Sequence, residues 1–187
     1  MPVTAAQVLG DEPVTWPITI GVAVPLPEPF LGELGAYRER FGDPLAHAIV
    51  AHITLVPPTV VADADRLQQV IDHLAAQVAH LAPYRLVLEG AGTFRPVSPV
   101  VFVPLAHGEQ DTRRVEAAVR RGPLDRPLQF PYHPHVTVAH DLDEEWLDEA
   151  FEAMRPYRAE FEVSSLALFV NGDDGVWRER VQFPFGG

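Results

Sequence analysis

One tetrapeptide is written twice in this chain, and few folds can use it both times. The first copy is His52-Ile53-Thr54-Leu55 and the second is His135-Val136-Thr137-Val138. Successive side chains of a β-strand point to opposite faces, so in each copy the histidine and threonine share one face and two aliphatic residues share the other. The aliphatic face reads as core. Two such strands brought together put two imidazoles and two hydroxyls into one pocket, the expected active site. A lone histidine in a strand is most often structural. Two copies in matching positions are not accounted for by a composition with eight histidines.

The segments around the copies repeat as well. Ile18 to Leu26 alternates as a strand, and Phe30 to Phe41 has helical spacing that Gly42-Asp43-Pro44 stops. A strand is expected from His47 to Val56, ended by Pro57-Pro58, because proline cannot donate to a sheet ladder. A helix over residues 65–81 follows, capped by Asp63 or Asp65, then strands at Tyr84–Glu89 and Val100–Leu105 with a loop through Thr93–Pro96 between them. The second half gives a helix from Glu109 to Arg121, a proline-rich loop and a strand from Tyr132 to Ala139. Then come a helix from Asp143 to Met154, a strand from Glu160 to Val170, a turn at Asn171–Gly175 and a last strand from Val176 to Phe183. Each copy is preceded by a helix and followed by a helix, a strand, a loop and a strand. The joint Pro83-Tyr84-Arg85 recurs as Pro156-Tyr157-Arg158. Two copies are too few for a solenoid. The expected fold is α+β and bilobal, with duplicated lobes of antiparallel-rich sheet, flanking helices and the active-site cleft between the sheets. Residues 1–15 read as a mobile lead-in on which Val8 and Leu9 can dock, and residues 16–187 as one bilobal domain.

Composition removes whole classes of chemistry. The chain has no cysteine, and all 14 basic residues are arginine. Thiol nucleophiles, disulfides, cysteine-bound metals, Schiff bases, lysyl-nucleotide intermediates and the Gly-x-x-x-x-Gly-Lys phosphate loop are all excluded. A formal charge of −12 argues against long duplex nucleic acid, which needs a basic face. Arg113, Arg114, Arg120 and Arg121 read as a solvated helix face. A small phosphorylated substrate or an RNA end suits the charge better. Without an apolar run long enough for a membrane span, or a secretory leader, the expectation is a cytoplasmic monomer with no membrane partner.

The doubled His-x-Thr-apolar pattern resembles that of the two-histidine (2H) phosphoesterase superfamily, which includes the bacterial RNA 2′,3′-cyclic phosphodiesterases, also called 2′-5′ RNA ligases. The resemblance covers nearly the whole chain after residue 15, because the order of elements matches too. It implies a pseudo-twofold axis through the cleft and chemistry on cyclic or 2′-5′ phosphodiesters with no cofactor and no metal. In many members the second motif continues Ala-Arg, with the arginine helping to hold phosphate; here it continues Ala139-His140.

Histidine titrates near neutrality, so one imidazole can act as base while its partner acts as acid. His52 and His135 are the expected catalytic pair. Thr54 and Thr137 are expected to donate to the non-bridging phosphate oxygens, where charge builds up. Tyr132 is a candidate for stacking on a base, and Arg95 for reaching a phosphate. Two other readings stand beside this one. The first is a non-catalytic binder of nucleotide phosphate. The second is a hydrolase whose metal is held by a cluster of His133, His135, His140 and His47, although His140 has the wrong strand parity to join His135.

Overall fold

The computed structural model describes residues 2–10 and 14–186. The strands are β1 (Ile18–Pro25), β2 (His52–Val61), β3 (Tyr84–Glu89), β4 (Gly92–Thr93), β5 (Val100–His107), β6 (His135–His140), β7 (Arg158–Val163), β8 (Ser165–Asn171) and β9 (Trp177–Pro184). Helices α1 (Ala5–Leu9), α2 (Phe30–Phe41), α3 (Ala64–Val78), α4 (Glu109–Val119) and α5 (Glu144–Met154) lie among them. The strands form one curled antiparallel sheet in the order β7-β3-β5-β6-β2-β1-β8-β9, with β4 beside β5. Two leaves of four strands meet at β6 and β2, the two motif strands. Their register there is the single pair Ile53↔Val136. In an antiparallel pair this places His52 toward Thr137 and Thr54 toward His135, about a local twofold axis.

The leaves are interlocked. β3 follows the first motif and its helix α3, yet pairs with β5 in the opposite leaf; β8 follows the second motif's elements, yet pairs with β1. The helices cross over too: α2, which precedes β2, packs against β6, and α4, which precedes β6, packs against β2. Neither sequence half is therefore a spatial half. One hydrophobic core runs under both leaves, holding Ile53, Leu55, Val136 and Val138 with Leu34, Leu67, Leu74 and Leu147 from the helices. The aliphatic face of both motifs is buried as its alternation requires.

Four elements differ from the sequence reading. The strand of the first motif starts at His52, not His47, because residues 43–49 close turns on Asp43 and Leu45 carbonyls. It also runs through Pro57-Pro58 to Val61. Ile20 pairs with Thr59 and Val22 with Val56, so the two prolines stand opposite Gly21 alone. The bulge removes the need for their missing N–H groups. The single strand expected at Glu160–Val170 is two strands on opposite leaves, β7 beside β3 and β8 beside β1, separated by Ser164. Gly92-Thr93, read as loop, pairs with Phe102 and Val101 of β5. At the N-terminus, residues 5–9 form helix α1, which no periodicity in the sequence displays. A reciprocal Thr4/Gln7 capping box starts it, Val8 is buried, and Gln68 of α3 accepts the Ala5 N–H at 2.7 Å. The part of the expected lead-in falling on residues 1 and 11–13 lies outside the described residues. Among the described residues no helix is long and apolar enough to cross a membrane.

Candidate active site

The two motif histidines are held in the same way. His52 Nδ1 lies 2.8 Å from the Val50 carbonyl and His135 Nδ1 lies 2.6 Å from the His133 carbonyl. In each case the partner is the carbonyl two residues upstream. A carbonyl only accepts, so both Nδ1 atoms carry the proton and both Nε2 atoms keep a lone pair in the neutral ring. His52 Nε2 sits 3.1 Å from Thr54 Oγ1. Both histidines and both threonines line one cavity of about 220 Å³.

Burial lowers the basicity of both rings. It pushes His52 below the usual histidine value, outweighing the Val50 hydrogen bond, with the nearby Arg38 guanidinium acting in the same direction. Burial likewise pushes His135 down to about 4, with His133 and His52 adding smaller repulsions. With basicity lowered below the ordinary histidine value, both rings are neutral at pH 7.

The same wall holds Arg38 and Asp43, which the sequence reading missed. Arg38 is only 4% exposed and Asp43 5%. Arg38 Nε donates to Asp43 Oδ2 at 2.8 Å and Nη1 donates to the Ile49 carbonyl. Asp43 Oδ1 accepts the Leu45 N–H at 2.9 Å. A buried guanidinium thus anchors the turn over the cavity and stays at its edge. His140 also lines the cavity, 3.3 Å from Asp141, which has the left-handed φ of 53°.

Two expected ligand contacts sit elsewhere. Arg95 does not line the cavity; its Nη1 is bound to Glu144 at 2.6 Å and to Asp148 at 2.9 Å, both on α5. Tyr132 is half-buried; its hydroxyl donates to the Thr54 carbonyl at 2.9 Å, and Arg113 lies over one side of the ring at 5.9 Å. Burial pushes its phenol well above the usual range, so it remains a donor. Tyr132 therefore braces the first motif strand from the segment leading into the second. Among the described residues no three metal-ligating side chains converge. His133 packs edge-on against Phe94 and Phe102 instead, and His47 is exposed beside Glu39.

The leaves carry a second repeat. Val22-Ala23-Val24-Pro25-Leu26 recurs as Val101-Phe102-Val103-Pro104-Leu105. Ala23 pairs with Thr54 and Pro25 with His52; Phe102 pairs with Thr137 and Pro104 with His135. A register shift falls at the same point in both, between Val22 and Ala23 and between Val101 and Phe102. The repeated pentapeptide was the available signal for the strand beside each motif.

A curled antiparallel sheet, with one His-x-Thr strand from each leaf meeting at its centre, defines a two-histidine fold. The 2′-5′ RNA ligase superfamily model matches residues 26–175, and the chain belongs to that family. A Bacillus licheniformis protein provisionally named a phosphoesterase is 26% identical over 153 residues, covering 81% of this chain and 89% of its own. An Oceanobacillus iheyensis protein of similar name is 23% identical over 168 residues, covering 89% and 97%. E. coli LigT complexed with 3′-AMP superposes with a TM-score of 0.66 at 16% identity, covering 91% of this chain and 99% of LigT. LigT complexed with phosphate gives 0.63 at 19% identity, covering 92% and 100%. At those identities the structural likeness is one of fold.

Proposed function

We propose that this protein is a metal-independent phosphodiesterase that opens 2′,3′-cyclic phosphates, or cleaves or joins 2′-5′ phosphodiesters, in RNA ends or small nucleotides. The observation that carries the reading is the pair of identically tethered imidazoles at the leaf junction, each with its Nδ1 on a carbonyl and its ring beside one cavity, the His52 Nε2 lone pair accepting from the Thr54 hydroxyl until substrate takes its place. One Nε2 takes a proton from water as its oxygen attacks phosphorus. The P–O bond to one ribose oxygen breaks, and the other imidazole, protonated, gives that oxygen its proton. The product is a phosphomonoester; a ribose hydroxyl attacking in place of water joins two chains with the same roles, and the two rings exchange roles when a 2′-5′ bond is cleaved back to the cyclic phosphate. Thr54 and Thr137 donate to the non-bridging oxygens, and the Arg38 guanidinium at the cavity edge offsets the developing charge.

The size of the cavity favours a small reacting group. At about 220 Å³ it is below the roughly 300 Å³ at which drug-sized sites begin. A phosphate with part of a ribose suits it, and the bulk of an RNA chain stays outside. The membership in the 2′-5′ RNA ligase superfamily and the names of the relatives support the same class of chemistry. We place the reaction in the cytoplasm and in a monomer.

The test is turnover of 2′,3′-cyclic AMP by EDTA-treated protein. The expected result is a single adenosine phosphomonoester formed at an unchanged rate. Activity lost to EDTA and restored by a divalent metal overturns the two-histidine mechanism. Tight binding of the nucleotide with no turnover instead supports the non-catalytic binder.

A further inference from the structure

Beside the polar cavity lies a second one of about 190 Å³ with an almost wholly apolar wall. The two share His52, Thr54, Leu45 and Ile49. The rest of the second wall includes Gly21, Ala23, Pro57, Phe169 and Trp177. Phe169 is buried, its ring centroid 6.3 Å from that of His52. Gly21 leaves room for the indole: a Cβ there stands 3.3 Å from the Trp177 ring. The backbone N–H of Trp177 donates to the Ala48 carbonyl at 2.7 Å.

The opposite leaf shows what a closed version of this place looks like. The repeated pentapeptide puts Phe102 where the open leaf has Ala23. Phe102 packs at a tilt of 32° on Phe94, centroids 4.3 Å apart, and both rings press on His135 at 5.0 and 4.9 Å. Gly92 beneath is confined to glycine, since a Cβ there stands 2.4 Å from the Phe102 ring. One side of the pseudo-twofold is thus packed with the protein's own aromatic rings. The other is left open by alanine and glycine, with two aromatic side chains in its wall.

We infer that the cavity between Ala23, Phe169 and Trp177 is the binding site for the nucleobase of the substrate, seated on the β1–β8–β9 leaf next to His52. The inference rests on the phosphodiesterase reading for its ligand class, but its chemistry is separate: a flat aromatic ring on an apolar wall, one shared side chain away from the phosphate. Recognition by stacking and apolar contact is tolerant of base identity, so purine and pyrimidine nucleotides both enter.

The experiment measures binding of adenosine 2′-monophosphate and of inorganic phosphate by calorimetry, to the wild-type chain and to Ala23→Phe, which copies the closed leaf. The expected result is a loss of about 5- to 100-fold in affinity for the nucleotide, the range of one stacked base, with phosphate affinity within about twofold. Trp177→Ala, which removes a wall instead of filling the space, is expected to show the same selective loss and guards against misfolding of the first variant. Equal losses for both ligands, or no loss for the nucleotide, overturn the inference. Binding is read without turnover, so a wild-type chain that binds the nucleotide selectively but opens no cyclic phosphate contradicts the phosphodiesterase reading and leaves the base site standing.

Discussion

Replacing His135 by alanine is expected to lower turnover of a 2′,3′-cyclic nucleotide by about 10²–10⁴, the worth of one positioned proton-transfer group. His52→Ala is expected to fall in the same range. The double variant should fall no further than the worse single one, because the two rings act as a unit on one phosphorus. Folding should survive. Among the described residues the His135 ring has one hydrogen bond, to the His133 carbonyl, and Val136 on the other face keeps its place in the core. Steady-state kinetics with circular dichroism separates the two effects. Folded protein that retains most of its activity in either single variant contradicts the assignment.

The second large effect concerns stability. Asp43→Ala is expected to destabilise the protein by about 3–5 kcal/mol, because it leaves the Arg38 guanidinium buried without its counter-ion. The contrast is Glu144→Ala. It removes one exposed partner of Arg95, whose other partner Asp148 remains, and is expected to cost about 0–1 kcal/mol. Urea unfolding of both variants reads the difference directly. Equal, small losses would mean that the Arg38–Asp43 pair is solvated and does not fasten the turn over the cavity.

The fold class and the two motif strands were legible because alternation is a local property: His-x-Thr-apolar assigns its own faces wherever the strand lies. The repeat of helices and strands was legible for the same reason. What could not be read was set by partners distant in sequence. Pro57-Pro58 sits inside a strand because Gly21 forms the other side of its bulge. Ser164 separates two strands that part to opposite leaves, and nothing in Val163-Ser164-Ser165 signals a turn. Arg95 was read as a phosphate ligand, yet its charge is met by Glu144 and Asp148, some fifty residues on. The bond from the Tyr132 hydroxyl to the Thr54 carbonyl spans 78 residues, and no local pattern displays it. Arg38 and Asp43 flank an ordinary glycine helix stop at Gly42, where the left-handed φ of 79° is the only requirement the sequence displays. Ala23 and Phe102 were readable as the variable position of one repeated pentapeptide, a signal that gains meaning only once both strands are seen beside the motifs.

The pH dependence of kcat/KM for a 2′,3′-cyclic nucleotide, measured in EDTA, tests the central claim most directly. This ratio reports the ionisation of the free enzyme. The productive form has one imidazole protonated and one neutral. Burial holds His52 below its usual value and His135 at about 4. Above pH of about 6.5 both rings are neutral and the acid is lost. Once the pH falls below both values, both rings are protonated and the base is lost. The account therefore predicts a bell with its maximum on the acid side of pH 6.5. It also predicts a kcat profile displaced to higher pH, because the bound phosphodiester's negative charge favours the imidazolium. A kcat/KM that rises through neutrality to an alkaline plateau, or that needs added metal at any pH, would contradict it.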